Sequence, residues 1–556
     1  MRRVSDLFVE CLEREGVRYV FGLPGEETEG LLFSLERSSI QFVPTRHEQG
    51  AAFMADVWGR LTGEAGVCLS TLGPGATNLV TGIADANLDK SPVVAITGQA
   101  ALSQSHKESH QVLDVVRLFR PVTKWNAAVT SPEVVPEIVR KAFKIAESEK
   151  PGATHIELAE DVAGMATNQK PLPVTRVRRP DPDRKALEEA CRLLKRSRRP
   201  LIIAGNGAVR KDSSRFLREL ARRHHIPAVD TFMGQGAIPD DSPESLFTIG
   251  FGFRDIGMEA LEKADLILTV GYDLAEYTPD AWNPGKDKVI VHVDFTPTEV
   301  YAHYQPAVEV VADIPATLRE LNRLLSARRC RFDCRWYLPF RERIQRDIAG
   351  YDLKEGEPFT IPGVLNLLRA LMGREDLLIS DVGMHKIWIA RNFPNYCPNG
   401  CIISNGLASM GIALPGAVAA CLVDPKRRVV AAMGDGGFLM NSQELETASR
   451  LGVAFTTLIF NDDGYGMVSW KQRMHHSHAT GTKLTNPDFK AYAESFGIRG
   501  YRPGSLRELK AQLKEALTCG ELAVIEIGVD SRVNERLRGS AAASRRGRGR
   551  ARGRRR

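Results

Sequence analysis

The chain has 556 residues, of which 43% are hydrophobic, 26% charged and 7% aromatic, a length that accommodates three or four domains with separate cores. Its 48 Gly and 30 Pro exclude a collagen-like or largely disordered chain, and nine Cys are too sparse for a disulfide scaffold. The net charge of +7 has one source: residues 540–556 carry eight Arg and no acid, and the rest balances 67 basic against 68 acidic groups. At the N-terminus, Val4, Leu7, Phe8, Cys11 and Leu12 keep the spacing of one buried helix face. Acids interrupt the opening MRRVSDLFVECLEREG where a secretory signal needs an apolar run. No stretch of about eighteen apolar residues follows, so the expectation is a cytoplasmic protein with no membrane contact.

Strands are expected at 17–21, closed by Gly22-Leu23-Pro24-Gly25, and at 67–72 and 93–97. The Pro- and charge-rich stretch 165–183 reads as a linker. A second unit, 184–325, has expected strands at 200–204, 266–270 and 289–293, and an Arg-rich connection covers 326–357. A third unit, 358–530, has strands at 377–380, 429–433, 455–460 and 524–527. Strands alternating with helical patterns predict three doubly wound, parallel-sheet α/β domains (1–165, 184–325 and 358–530), with ligands at the carboxyl ends of the strands. The segment 531–556 is assigned to a disordered basic tail, because a like-charged run repels itself and buries no apolar surface. Such a tail suits a polyanion such as RNA by counterion release. A solvated tail without a function of its own is the preferred reading.

The strongest local signal is Gly434-Asp435-Gly436 directly after the run VVAAM, with Asn461-Asp462 closing the next strand, FTTLIF. The 24 intervening residues hold one helix, placed at 441–450, and a return strand, so the two acids should meet at adjacent strand ends. Asp435 and Asp462 then offer hard oxygen ligands to one cation while the glycines let a diphosphate approach the backbone. Mg²⁺ suits such a site, since phosphate and water oxygens complete its octahedron. The helix after GDGGF adds free N–H groups at its start.

That spacing resembles the diphosphate–Mg²⁺ motif of thiamine-diphosphate enzymes. The further motifs VFGLPGEE, TRHEQGAAFMADVWGRLTG, STLGPGATNLVTGIADA, ITGQ, SDVGMHKIW, NGLASMGIALPGA and FNDDGYGMVSWKQ are similar, in the same order, to the acetolactate synthase branch of that family. The resemblance covers nearly all of residues 1–530. It implies a pyrimidine-binding first domain, a diphosphate- and Mg²⁺-binding third domain, and a cofactor lodged between two subunits of a homodimer or homotetramer. Glu48, in HEQGAA, is implied to bond N1′ of the aminopyrimidine and favour the imino tautomer that removes the thiazolium C2 proton. Pro24, Gly25, Pro74 and Asn78 are implied cofactor neighbours. So are the loop Gly383, Met384 and His385, then Gly434, Gly436, Gly437 and Met467, with Met410 as the bulky support of a bent cofactor. The carbonyl of Gly464 is implied as third metal ligand beside Asp435 and Asp462. Many relatives have a second Asn at the position of Asp462, and catabolic acetolactate synthases share the Asp. Gln111, Val468 and Lys471 are the implied substrate neighbours.

Two departures bear on subtype. Flavin-containing relatives have an Arg- and Asp-rich stretch where this chain has Gly271-Tyr272-Asp273-Leu274-Ala275-Glu276-Tyr277, which resembles the flavin-free catabolic enzymes and argues against FAD. Gly205-Asn206-Gly207 alone is a weak nucleotide signal, so the middle domain is read as structural or interface-forming. Lys471 replaces the Trp of biosynthetic relatives and the Gln of catabolic ones; a cation here suits a carboxylate substrate or reaches to water. Cys330/Cys334 and Cys397/Cys401 lack zinc-ribbon spacing, and His475, His476 and His478 read as a solvated loop. The expected reaction is decarboxylation of pyruvate and joining to a second 2-oxo acid, giving 2-acetolactate. The alternatives are another thiamine-diphosphate-dependent 2-oxo acid decarboxylase, oxidase or aldehyde lyase and, remotely, a nucleic-acid-associated protein acting through the tail.

Overall fold

The computed structural model describes residues 2–104, 106–175, 177–326, 333 and 335–537. The Arg-rich stretch 540–556 and the pair Cys330/Cys334 lie outside the described residues. Three six-stranded sheets follow one another along the chain. The first contains β1 (Tyr19–Gly22), β2 (Gln41–Pro44), β3 (Gly66–Ser70), β4 (Val93–Gln99), β5 (Trp125–Val129) and β6 (Ala153–Ala159), ordered β2-β1-β3-β4-β6-β5. The second contains β7 (Pro200–Ala204), β8 (Ala228–Asp230), β9 (Ser245–Thr248), β10 (Leu266–Val270), β11 (Val289–Asp294) and β12 (Val308–Val311), ordered β12-β11-β10-β7-β8-β9. The third contains β13 (Leu377–Ser380), β14 (Cys401–Ile403), β15 (Val429–Gly434), β16 (Thr456–Asn461), β17 (Arg499–Tyr501) and β18 (Ala523–Gly528), ordered β14-β13-β15-β16-β18-β17. Every strand pairing is parallel.

The first and third sheets share one order of connection. In each, the chain reverses direction across the sheet beside its first strand, which opens a crevice between the first and third strands at their carboxyl ends. Those crevices are where the polar loops gather. The second sheet has the order of a dinucleotide fold, with its reversal between β7 and β10.

Several elements differ from the sequence reading. β6 carries Thr154, His155 and Glu157 between its apolar residues, which hides it from a periodicity search, yet all seven positions are buried. Most of the polar groups find partners inside: His155 stacks on Phe119 at 4.1 Å and its Nε2 lies 2.9 Å from the Thr97 hydroxyl, while its Nδ1 is buried without a partner among the described residues. Burial pushes its imidazole down to about 3, so the ring is neutral. The single helix expected at 441–450 is two, Asp435–Asn441 and Glu444–Leu451, joined by a turn at Ser442-Gln443 whose backbone angles stay right-handed helical. The first of them is only seven residues long. His475 and His476 end a helix, Gly466–His476, instead of lying in a loop; with His478 they are exposed, in keeping with their solvated reading. Residues 531–537, assigned above to the tail, pack on the third unit: Trp388 Nε1 donates to Asn534 Oδ1 at 2.7 Å and Trp470 Nε1 to the Asn534 carbonyl at 3.1 Å.

The first and third units share one core. The helices Glu48–Thr62 and Ala413–Val423 pack together, Gly416 lying against Val57, and their alanines are buried in that core. Beside this contact Arg60 pairs with Asp56 Oδ1 at 3.0 Å and with Asp89, and stands 4.0 Å from Asp85; the three carboxylates have no solvent exposure. Burial pushes Asp56 and Asp85 up. Arg60→Met would strand three buried carboxylates, so it is expected to cost about 3–5 kcal/mol, read as an earlier first transition in urea.

Candidate active site

At the carboxyl edge of the third sheet a cleft of about 580 Å³, counted to its open mouth, lies between the loops after β13, β15 and β16. Gly434 and Phe460 are register partners in adjacent strands, so Asp435 and the Asn461-Asp462 pair leave the sheet side by side. Gly383, Met384 and His385 line the cleft from the β13 side, and Met410 from the loop before the helix Ala413–Val423. Gly434, Asp435, Gly436 and Gly437 form its floor, while Asp462, Gly464, Met467 and Val468 close the far wall. A Cβ on Gly437 would fall 2.7 Å from Asp381 Oδ2, so only glycine lets this turn pass the carboxylate.

The electrostatics of the cleft are unbalanced. Asp435 Oδ2 accepts the Gly464 N–H at 3.0 Å, and burial raises its carboxyl. Asp462 is pushed up to about 7, first by burial and then by Asp435 and Asp463. The charge of Arg473 offsets the rise at Asp462 only in part. The described residues include no cluster of three or more His, Cys, Asp or Glu side chains arranged for a metal, so an ion here would complete its shell with backbone carbonyl, phosphate or water oxygens. His385 is buried with its Nε2 unpartnered among the described residues, and burial pushes it down to about 4, leaving a neutral ring in the cleft. Two like-charged carboxylates, a glycine floor and an unpartnered imidazole nitrogen fit a diphosphate carried on a divalent cation.

A second group of the expected residues gathers at the matching crevice of the first sheet, away from this cleft. Glu48 begins the helix after β2, is 6% exposed, and accepts a hydrogen bond from Asn78 Nδ2 at 2.9 Å. Pro24 and Gly25 lie on the loop after β1, and Pro74 starts the helix after β3. Pro24, Pro74 and Asn78 are exposed. Gln111 is exposed at φ +58°, its carbonyl against Gly73. Gln99 holds that loop by donating to the Leu113 carbonyl at 3.0 Å. Within one chain neither Glu48 nor Gln111 lines the Asp435 cleft; Lys471 stands outside it too, exposed on the helix Gly466–His476.

Sequence reasoning missed the groups that hold these loops. Asp381, which burial pushes up to about 7, accepts the Gly411 N–H at 2.8 Å and so anchors Met410. Asp85 and Asp89 reach the same loop from the first unit, accepting from the Ser404 hydroxyl at 2.8 Å and the Gly406 N–H at 2.5 Å. Glu444 Oε1 accepts the N–H groups of Arg46 at 3.0 Å and His47 at 3.1 Å, which ties the start of the Glu48 helix to the third unit. None of these acids stands in a pattern that local spacing would single out.

The crevice of the middle sheet is closed by the chain itself. A Cβ on Gly271, at φ +57°, would fall 2.3 Å from Gly207 Cα, so the loops after β7 and β10 touch backbone to backbone. Glu276 accepts the N–H groups of Asn206 at 2.9 Å and Asp273 at 3.2 Å, and the Thr231 hydroxyl donates to its other oxygen. Burial raises it to about 7. A phosphate at such a crevice is received by glycine-loop N–H groups; here a side-chain carboxyl already takes one of them.

Comparison with known proteins agrees with this architecture. Residues 2–118 match the N-terminal TPP binding domain of thiamine pyrophosphate enzymes, 187–321 the central domain, and 381–527 the C-terminal TPP binding domain. The chain is 34% identical over 541 residues to the acetolactate synthase of Bacillus subtilis (strain 168), covering 95% of this chain and 93% of that protein. It is 36% identical over 545 residues to the catabolic acetolactate synthase of Raoultella terrigena, covering 96% of each. To the chloroplastic acetolactate synthase 2 of Nicotiana tabacum it is 33% identical, over 93% of this chain and 80% of that one. Three consecutive domain matches and full-length likeness place the molecule: it belongs to the thiamine pyrophosphate enzymes, on the branch that contains the acetolactate synthases.

Proposed function

We propose that the protein is an acetolactate synthase that takes two molecules of pyruvate to 2-acetolactate and CO₂. The observation that carries this reading is the Asp435–Asp462 cleft at the reversal point of the third sheet, in a chain aligned end to end with acetolactate synthases. Asp435, Asp462 and the Gly464 carbonyl would hold Mg²⁺, and Gly436, Gly437 and His385 would receive the diphosphate. When bound, thiamine diphosphate supplies the nucleophilic carbon and the electron sink for decarboxylation. Glu48, held by Asn78, offers its carboxyl as the proton-handling group toward the aminopyrimidine. Met410, anchored through Gly411 and Asp381, supports the cofactor's bend, and Gln111, Val468 and Lys471 border the substrate.

The assembly is a homodimer or homotetramer in which Glu48 of one copy faces the Asp435 cleft of another. Two features support it: Glu48 does not line the cleft of its own chain, and Leu439 and Met440, on the helix that starts at Asp435, are 39% and 42% exposed, apolar surface that a second copy would cover. The middle sheet is structural and takes no FAD, a reading supported by the Glu276 carboxyl on the Gly205-Asn206-Gly207 loop. Among the described residues no helix is long and apolar enough to cross a membrane. The test is product analysis with pyruvate, with and without 2-oxobutyrate, in thiamine diphosphate and Mg²⁺, with bound flavin measured alongside. Acetolactate as the main product is expected; acetaldehyde or acetate in its place overturns the proposal.

A further inference from the structure

We propose that Asn486 is a positioning residue for the cation site, its side-chain amide setting the register between the Asp435 turn and the Asp462 loop. This rests on the cation reading given under Proposed function. Residues 482–486 run alongside the loop that follows β16. The Tyr465 N–H donates to the Thr482 carbonyl and the Leu484 N–H to the Asp463 carbonyl, each at 2.9 Å, with an antiparallel bridge between Gly464 and Lys483. The loop bearing Asp462 and Gly464 is thus laced to this segment, and Asn486 is the point where the segment reaches Asp435.

Asn486 Nδ2 lies 2.8 Å from Asp435 Oδ2, 3.1 Å from Asn461 Oδ1 and 3.2 Å from Asp463 Oδ1. One NH₂ group, with two hydrogens, therefore serves three acceptors that come from both sides of the crevice. The orientation of the amide follows from charge, since the reverse assignment would point its oxygen at two carboxylates. Its own Oδ1 is buried without a partner among the described residues, a cost accepted to keep the NH₂ on the acids. Asp462 stands between two of the acceptors, Asn461 and Asp463, so fixing both fixes the backbone that aims it. Asp463 is at φ +54°, a left-handed turn that such a clamp keeps in place. Asn486 does not line the cleft, so it acts through Asp435 and the Asp462 loop and not as a ligand.

The test uses the full chain with thiamine diphosphate and Mn²⁺ as a paramagnetic probe. Asn486→Ala and Asn486→Leu are compared with Thr485→Ala, an exposed neighbour. Loss of an outer-shell partner typically weakens metal binding about 10–100-fold, and that loss is expected in both Asn486 variants, with Thr485→Ala unchanged. Acetolactate formation by both Asn486 variants should recover at saturating Mn²⁺, a rescue that a merely structural role would not show. Native Mn²⁺ affinity in either folded variant overturns the inference, as does an equal loss in Thr485→Ala or failure of both Asn486 variants to fold. Absence of Mn²⁺ binding by the native chain overturns the cation reading itself, and this inference with it.

Discussion

Glu48→Gln is expected to lower turnover about 10²–10⁴-fold, the range for loss of a general acid–base group, while the protein still takes up thiamine diphosphate. The substitution isolates the proton, because glutamine keeps the length of the side chain and a carbonyl oxygen that can still accept from Asn78 at the 2.9 Å contact. The backbone of the helix start is held independently by Glu444, through the N–H groups of Arg46 and His47, so the fold has no reason to change. Steady-state acetolactate formation and calorimetric titration with the cofactor check the two halves of the statement. A variant that binds cofactor and turns over at the native rate removes Glu48 from the chemistry.

The second large effect is at the cation. Asp435→Asn keeps the shape of the turn and removes one of two carboxylates facing the cleft. Its apparent cation affinity in thiamine diphosphate is expected to fall by more than about 100-fold, beyond the 10–100-fold typical of an outer-shell loss. The native site should also respond to pH in a definite direction. Asp462 is pushed up to about 7 by burial and by the neighbouring acids, and a carboxylate must be deprotonated before it can act as a ligand. Binding then displaces its proton below pH 7, so affinity drops by up to about tenfold per pH unit there and levels off above it. Calorimetry in buffers of different ionisation heat reads both the affinity and the proton released. A pH-independent affinity between pH 5 and 8 would show that Asp462 is not a ligand.

The parts of this protein that were legible in its sequence are those governed by short-range rules. VVAAM followed by Gly434-Asp435-Gly436, and FTTLIF followed by Asn461-Asp462, announce two strands of one parallel sheet with acids at their ends, and the register Gly434–Phe460 puts those ends together. A buried strand with polar residues such as β6 was not legible, because Thr154, His155 and Glu157 find their partners only across the sheet and in neighbouring helices. The turn at Ser442-Gln443 was hidden because both residues keep right-handed helical angles, so no local signal marks it.

The supports of the candidate site come from distances along the chain that no local pattern spans. Asn486 meets Asp435 from 51 residues away, Ser404 meets Asp85 from 319, and Arg46 meets Glu444 from 398. Residue order alone thus carried the parallel α/β class, the acids at the strand ends and the family, because strand propensity, glycine turns and motif spacing are local properties. Which buried carboxylates share Arg60, which amide clamps the acidic loops, and that Glu276 closes the middle crevice emerged only from the folded chain, since each depends on the burial of charge among side chains that only tertiary packing brings together.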